Sequence, residues 1–216
     1  MKWKGKKSAK MKKNYLFWKR FLDILLSIIA LICFSPLFLF TFIVDLVGEN
    51  KGPLFYKQTR IGYHHKPFKI YKFRSMVVNA EEVLKSDPKL YQEYVKNNYK
   101  IEHDPRITKF GGWLRKTSLD EIPQFINILQ GNMTLIGPRP IVKNELEDEY
   151  TKEQADKLLS VKPGAMGLWQ ANGRSNIPYP ERCDIELSYV DKASLTFDTK
   201  IFFKNIFSIL KHDGAY

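Results

Sequence analysis

The sequence is poor in cysteine and histidine. Its 216 residues include 2 cysteines and 4 histidines. Two cysteines cannot form a disulfide scaffold, and the histidines show none of the Cys/His spacings of a zinc site. We therefore expect a reducing, cytosolic setting without structural metal. Internal repeats are also missing, and the only low-complexity stretch is the lysine-rich start of the chain.

Acidic residues are scarce relative to basic ones. The chain has 23 Asp and Glu against 35 Lys and Arg, a net charge of +12, with 44% hydrophobic and 14% aromatic residues. This composition can bury a sizeable core, so it excludes a chain that is disordered throughout. The length is typical of one domain.

The basic excess lies at two places. Residues 1–20 contain nine bases and no acid, and residues 48–74 contain seven bases and one acid, whereas residues 75–216 contain 19 bases and 20 acids. A nucleic-acid-binding protein would carry its basic surface on the folded body. Here the bases flank an apolar segment, so we expect an anionic phospholipid membrane as the partner, and no nucleic acid.

The segment between the two basic regions has no charge from Ile24 to Val44, a length that could cross a bilayer. A cleaved signal peptide fits poorly, because no small-residue cleavage site follows. Positive charge marks the cytoplasmic side and stands on both flanks. Ser35-Pro36 near the middle can break the helix. We therefore predict a re-entrant membrane helix of two halves of about 11 residues; a kinked spanning helix is the alternative.

We divide the chain into a basic N-terminal tail (1–20), a re-entrant membrane anchor (21–47) and a cytosolic, membrane-associated catalytic domain (48–216). The predicted fold class is mixed α and β, mainly helical, with one short β-hairpin from Pro53–Arg60 and Pro67–Arg74. Alternation along the second strand places Lys72 and Arg74 on one face, where they could bind phosphate oxygens. A solvated strand face is the alternative.

The rest of the body reads as helices, some of them amphipathic and interfacial. Val77–Asn98 predicts one or two surface helices, and Val142–Ser160 predicts a helix broken at a capping box beginning with Thr151. Ile107, Phe110, Trp113 and Leu114 recur at helical spacing and should face the core or the membrane. Phe197–Lys211 is too apolar for a free surface helix, and we expect it at the interface with the anchor.

The residues that could carry chemistry are concentrated between residues 104 and 140. Pro123 fits the first turn of a helix to Leu129, so Asp120 and Glu121 would lie at a helix N-terminus, which favours an ionised carboxylate. Ser118 and Glu121 can equally form an ordinary capping box. Nearby cations beside turn-forming residues favour a ligand site; they are Arg115, Arg139 and Arg174.

A carboxylate among arginines suits phosphoryl transfer. An ionised Asp120 could attack a phosphorus whose oxygens are neutralised by guanidinium groups and Mg²⁺, which would give an acyl-phosphate intermediate. Histidine is not required, because charge neutralisation and positioning supply most of the acceleration. The alternative is a non-catalytic membrane adaptor in which the two acids only cap a helix.

Several motifs in a fixed order resemble those of the bacterial sugar transferases, and in particular the small monotopic phosphoglycosyl transferases. The resemblance extends from Lys19 to about Lys211. The motifs are Ser35-Pro36, Tyr71-Lys72-Phe73-Arg74-Ser75-Met76, Asp104-Pro105-Arg106-Ile107-Thr108, Ser118-Leu119-Asp120-Glu121-Ile122-Pro123-Gln124, Ile136-Gly137-Pro138-Arg139-Pro140, and Lys162-Pro163-Gly164 through Asn172-Gly173-Arg174.

The resemblance implies transfer of a sugar 1-phosphate from a UDP-sugar to polyprenyl (undecaprenyl) phosphate, with release of UMP, as the first membrane step of capsule, exopolysaccharide or glycoprotein glycan assembly. Asp120 would be the nucleophile with Mg²⁺ near it, and Glu121 would help to activate the lipid phosphate. Lys72, Arg74 and Arg139 would line the phosphate site, with Arg115 close by.

The resemblance also implies a monotopic protein on the cytoplasmic face of the bacterial inner membrane. Two departures from the family pattern stand out. Ala165-Met166-Gly167 replaces the more usual Ile-Thr-Gly after Lys162-Pro163-Gly164. Larger relatives carry additional N-terminal membrane helices, and none fits this sequence, so we expect a minimal catalytic module. The sugar and the oligomeric state are left open.

Overall fold

A computed structural model describes residues 13–96, 101, 103–173 and 176–210. The elements are mainly helical, with two small two-stranded sheets. In chain order they are α1 (Lys13–Cys33), α2 (Ser35–Val44), β1 (Phe55–Ile61), β2 (Pro67–Phe73), α3 (Ala80–Ser86), α4 (Pro88–Lys96), α5 (Lys109–Lys116), α6 (Gln124–Leu129), β3 (Thr134–Ile136), α7 (Lys143–Glu149), α8 (Lys152–Leu158), β4 (Gly164–Met166), α9 (Leu168–Ala171), α10 (Glu181–Lys192) and α11 (Leu195–Leu210), with 3₁₀ turns at Gly48–Asn50, Tyr63–His65 and Leu119–Glu121.

The apolar N-terminal segment is a bent helix pair. Among the described residues no one helix is both long and apolar enough to cross a bilayer, whereas α1 and α2 together are, with a 52° bend between them. The Ser35 hydroxyl donates to the carbonyl of Ile32 at 2.8 Å, and Pro36 lies in the first turn of α2. The break predicted at Ser35-Pro36 is therefore confirmed, and its cause is the missing backbone donor of proline.

The predicted tail and the first half of the anchor share one helix. The predicted boundary at residue 20 falls inside α1, which has 21 residues. The uncharged part of α1, residues 24–33, and α2 with 10 residues are each about 15 Å long. The expectation of two short apolar halves thus holds for the uncharged segment. Its first half, however, continues a helix whose beginning carries charges and packs on the body.

The hairpin is confirmed. Strands β1 and β2 pair antiparallel in a register that places Tyr56 opposite Lys72 and Arg60 opposite Phe68. Residues with alternating positions share a face of the hairpin, so Arg60, Ile70 and Lys72 point to the same side. The strand β2 ends at Phe73, so Arg74 lies beyond the regular alternation.

The main core surrounds the second sheet, in which β3 and β4 pair in parallel. Its fully buried members come from α6, the segment before β3, α10 and α11; they include Ile128, Met133, Tyr189 and Ile201. Helix α1 packs on α6, β3 and α11. The position expected for the C-terminal stretch, at the interface with the anchor, is confirmed for its described part.

A second core joins α7, α8 and α10 through Ile141, Leu146, Leu158 and Leu187. The predicted break at Thr151 is present, with a complete capping box between Thr151 and Gln154. These two cores bracket the chain segment Gly137–Pro140, which therefore has a fixed path across the body.

The apolar residues predicted at helical spacing are divided between the core and the surface, and Ile107 lies before α5. Leu114 of α5 is fully buried, whereas Trp113 is 45% exposed. The ring of Phe110 contacts Phe40 of α2 with centroids 5.7 Å apart. Helix α5 thus continues the exposed apolar surface of the anchor. The surface segment after β2 forms two short helices, α3 and α4, as expected.

Candidate active site

Asp120 and Glu121 lie in the 3₁₀ turn between α5 and α6. Ser118 before the turn adopts a left-handed conformation with φ of 57° and forms no side-chain cap hydrogen bond. The interpretation of Ser118 and Glu121 as a capping box is therefore wrong. Asp120 is buried, at 8% exposure, and Pro123 is the N-cap of α6, which begins two residues after the acids.

Lys72 reaches the acids from β2. Its Nζ donates to Glu121 Oε1 at 2.6 Å and lies 3.9 Å from Asp120 Oδ2. One ammonium group thus bridges two adjacent carboxylates. Three charged groups held this closely in a partly buried place are typical of a functional site.

Arg139 approaches Glu121 from the other side. Its Nη2 is 3.8 Å from Glu121 Oε1, and its guanidinium lies 5.7 Å from the ring centroid of Trp169. The flanking prolines and β3 fix the backbone here, and the Arg139 backbone N–H donates to Glu186 Oε1 at 3.3 Å. Two cations from distant parts of the chain therefore converge on one acidic turn.

The charge of Asp120 depends on its surroundings. Burial raises the pKa of the Asp120 carboxyl, Lys72, Arg115 and Arg139 oppose this, and the neighbouring charge of Glu121 reinforces it. The net shift is upward, opposite to the direction expected from a helix N-terminus, because desolvation outweighs the local dipole. A ligand or cation that compensates the negative charge would favour the ionised, nucleophilic form.

Arg115 lies at the last turn of α5 behind Asp120. Its Nε donates to the Ser75 hydroxyl at 2.8 Å, and burial lowers the pKa of its guanidinium while Asp120 raises it. Arg115 therefore belongs to the electrostatic surroundings of Asp120. The structure brings together Asp120, Glu121, Lys72, Arg115 and Arg139.

Arg74 is placed elsewhere. Its guanidinium is 6% exposed and pairs with Asp45 at 2.8 Å. It also donates to the carbonyls of Pro53 at 2.9 Å and Met76 at 3.1 Å, and contacts that of Asn50. The prediction that Arg74 shares a ligand face with Lys72 is contradicted because β2 ends before it. Arg174 lies outside the described residues.

A cleft with an empty volume of about 230 Å³ opens beside the acids. Its polar lining comes from Arg60, Lys72, Glu121, Gln124, Arg139 and Gln170. The expected ligand site is thus a basic cleft with a few amides, and Asp120 lies at its edge within 3.9 Å of Lys72. The polarity of this lining suits a phosphorylated ligand bound through its charged part.

Arg60 is a cleft residue that the sequence reasoning missed. It donates to the carbonyl of Pro140 at 3.1 Å and to Gln58 Oε1 at 2.6 Å. Burial, together with repulsion by Arg139, lowers the pKa of its guanidinium to about 10. The hairpin register could have revealed it, because Arg60 and Lys72 occupy the same face.

Glu186 supports the Arg139 segment from α10. Its side chain is 1% exposed, Oε1 accepts the Arg139 N–H, and Oε2 has no hydrogen-bond partner among the described residues. Burial raises the pKa of this carboxyl to about 7, against the opposing charges of Arg182 and Arg139. An uncompensated buried carboxylate is costly, so the neutral acid is favoured.

We expect Glu186→Gln to flatten the pH dependence of stability. A carboxyl whose pKa is raised from 4.5 to about 7 stabilises the fold at low pH and loses that contribution as the pH rises through 7. The loss amounts to about 3 kcal/mol for this group. Chemical denaturation in detergent at pH 5 and pH 8 measures it, with Glu181→Gln on the exposed face of α10 as control. An equal effect of both substitutions at the two pH values would contradict the expectation.

The two acids could also hold a divalent cation. Among the described residues no group of three or more His, Cys, Asp or Glu side chains is placed to bind a metal. Mg²⁺ is commonly bound by one or two carboxylates together with substrate phosphates. Asp120 and Glu121 therefore fit a cation that arrives with a diphosphate, and they do not form a complete protein site of their own.

Comparison with known proteins was consistent with this geometry. A family model described as bacterial sugar transferase matches residues 14–212. The undecaprenyl-phosphate galactose phosphotransferase of Salmonella typhimurium is 45% identical over 209 residues, which cover 95% of this chain and 43% of that protein. The exopolysaccharide production protein ExoY of Sinorhizobium fredii is 42% identical, covering 92% of this chain and 88% of that protein.

The UDP-galactose-lipid carrier transferase of Erwinia amylovora is also 42% identical, over 93% of this chain and 42% of its own length. The chain thus spans less than half the length of several curated relatives and nearly all of another. The residues matched by the family model, 14–212, include nearly all of the bent helix pair, the acidic turn and the Arg139 segment.

Proposed function

Because the chain belongs to the bacterial sugar transferase family, we propose that it transfers a sugar 1-phosphate from a UDP-sugar to polyprenyl (undecaprenyl) phosphate. The observation that carries the proposal is the buried Asp120 beside Glu121, with Lys72, Arg115 and Arg139 around it. A nucleophile surrounded by cations is what transfer between two phosphate-bearing substrates requires. The names of the relatives support the substrate classes.

In the first step, a carboxylate oxygen of Asp120 attacks the phosphorus that carries the sugar. A bond forms between this oxygen and phosphorus, while the bond to the bridging oxygen breaks and UMP leaves with the electron pair. Lys72 and Arg139 neutralise the phosphate oxygens, which is the main requirement of phosphoryl transfer. Their positions on either side of Glu121, at 2.6 Å and 3.8 Å, suit this role.

In the second step, a phosphate oxygen of the polyprenyl phosphate attacks the same phosphorus. The bond to Asp120 breaks, the carboxylate is regenerated, and the lipid carries a sugar diphosphate. Glu121 is the group placed to accept a proton from the incoming phosphate, because its side chain lines the cleft next to Asp120.

Mg²⁺ is the cofactor we propose, with Asp120 and Glu121 as its protein ligands. When bound, it would neutralise the diphosphate charge and so assist the departure of UMP. The chain itself contributes the positioning of both carboxylates and the surrounding cations.

We place the protein on the cytoplasmic face of the inner membrane as a monotopic protein. The outer faces of α1 and α2 expose large apolar side chains, among them Ile32, Leu39 and Ile43. The two apolar halves are short, and the helix axis bends by 52° between them. Bases flank both ends of the pair. An anionic lipid surface would attract these bases and keep the cleft near the lipid phosphate.

The activity is tested with purified protein, Mg²⁺, polyprenyl phosphate and a panel of UDP-sugars. We expect UMP release together with a lipid-linked sugar phosphate. A protein that binds vesicles but gives neither product with any sugar of the panel would instead be a non-catalytic membrane adaptor, and the proposal would fall.

The re-entrant topology predicts that both flanks of the anchor lie on one side. Single cysteines at the exposed positions Lys13 and Lys66, in a chain whose native Cys33 and Cys183 are both replaced by alanine, are treated with a membrane-impermeant thiol reagent in sealed vesicles. We expect labelling of both positions from the same side. Labelling from opposite sides would establish a spanning helix. A vesicle lysis control shows that both thiols are reactive.

A further inference from the structure

One turn of the anchor helix is charged and faces the protein. Lys19, Arg20 and Asp23 point toward the body, while their neighbours Phe21 and Leu22 are exposed. Asp23 is 5% exposed, and the Lys19 side chain is 14% exposed. Bases at the cytoplasmic end of an anchor are expected to meet lipid phosphates. The side chains of this turn instead make their hydrogen bonds within the protein.

Arg20 holds the end of α6. Its two terminal nitrogens donate to the carbonyls of Ile128 at 2.6 Å and Leu129 at 2.9 Å. Carbonyls at a helix C-terminus lack partners within the helix, and a cation there is favoured by the helix dipole. The opposite end of α6 follows Asp120 and Glu121 after two residues. Arg20 therefore fixes the helix that carries the acidic turn.

Lys19 and Asp23 hold β3. The Asp23 carboxylate accepts from the Thr134 hydroxyl at 2.7 Å and from the Leu135 N–H at 2.8 Å. Lys19 donates to the Ile136 carbonyl at 2.7 Å. Strand β3 ends three residues before Arg139.

Lys19 is itself held by a further carboxylate. Asp198 of α11 accepts from Lys19 at 2.7 Å, from Tyr15 at 2.9 Å and from Tyr189 at 2.9 Å. The position of the charged turn is thus set by α10 and α11 as well as by the membrane segment. It is a buried network in which each charge has a defined partner, the condition under which such networks confer rigidity.

The two halves of the catalytic site are therefore linked through the anchor. We propose that the turn Lys19–Asp23 is a positioning element that sets the separation between Asp120 and Arg139, so that the anchor is part of the catalytic machinery and does more than tether it. This proposal rests on the proposed function. A displacement of α1 would move α6 and β3 relative to each other and misalign the nucleophile with the phosphate-binding cation.

The test compares Arg20→Met and Asp23→Ala with Arg20→Lys. Lys13→Met, at an exposed position of the same helix, is a control with the same charge change as Arg20→Met. We expect the first two to lower kcat about 10- to 100-fold in detergent micelles, as for a misplaced reacting group. The KM for the UDP-sugar should change little, since the interaction is realised at the transition state. Arg20→Lys should restore most of kcat, because one donor to the α6 carbonyls remains.

Hydrogen–deuterium exchange provides a readout independent of activity. Peptides covering residues 124–139 should exchange faster in Arg20→Met and Asp23→Ala than in the wild type or Lys13→Met, with vesicle sedimentation unchanged. Wild-type turnover in micelles together with wild-type exchange of residues 124–139 in both variants would overturn the proposal. An inactive wild type would overturn the proposed function instead, while the exchange result would still decide the positioning role.

Discussion

Asp120→Asn is expected to reduce turnover at least about 10³-fold, the scale seen when a nucleophile is removed. The amide is isosteric with the carboxylate, so Lys72 and Arg115 keep a partner of the same shape. It cannot, however, form the acyl-phosphate bond. Because burial already raises the pKa of Asp120, an uncharged amide should leave the melting temperature unchanged or raise it. UMP release measures the effect.

A trapping experiment separates loss of the nucleophile from general damage. With a UDP-sugar labelled in the sugar, the wild-type protein should retain label after rapid denaturation, and Asp120→Asn should not. Asp148→Asn, at an exposed position of α7, should behave as wild type. Robust turnover by Asp120→Asn, or label on it after denaturation, would contradict the role assigned to Asp120.

Lys72→Met is expected to lower kcat/KM about 10²- to 10³-fold, as for loss of one group that stabilises transition-state charge. It should also change the pH dependence. Lys72 is the largest of the influences that lower the pKa of Asp120. Without it the pKa rises further, so a smaller fraction of Asp120 is ionised at neutral pH. The acidic limb of the pH–rate profile should therefore move to higher pH.

A matched control is available on the same strand. Lys69 is exposed on the opposite face of β2 and donates to the Thr59 hydroxyl at 2.7 Å. Lys69→Met should keep the wild-type profile, and Lys72→Arg should retain the position of the acidic limb better than Lys72→Met. An unshifted acidic limb in Lys72→Met would show that Asp120 is not the group that titrates.

Much of the local structure could be predicted from the sequence. The hairpin, the break at Ser35-Pro36 and the capping box at Thr151 are confirmed, because each depends on residues close together in the chain. The cation set was partly predictable, since Arg115 and Arg139 lie beside turn-forming residues. Arg60 was missed although its register with Lys72 follows from the hairpin.

The errors have a common cause in tertiary packing. Arg74 was expected to face a ligand, and it is buried against Asp45 because the chain leaves β2 at Phe73. Ser118 was a candidate cap, and its left-handed backbone turns it away from that role. The helix N-terminus predicted a lowered pKa for Asp120, and burial raises it. In each case the local sequence pattern is present, and the packing of the chain around it changes what the side chain does.

The sequence by itself determined the hairpin, the bent apolar segment, the helix break at Thr151 and the residue types that carry the chemistry, because these depend on periodicity, proline and local charge. It did not predict the parallel strands β3 and β4. Only the tertiary structure decided which cations meet Asp120, that Arg60 and Glu186 support the site, and that Lys19, Arg20 and Asp23 hold α6 and β3. The contacts of Lys19, Arg20 and Asp23 join residues more than a hundred positions apart. Their geometry is set by how the cores pack, which local sequence patterns do not encode.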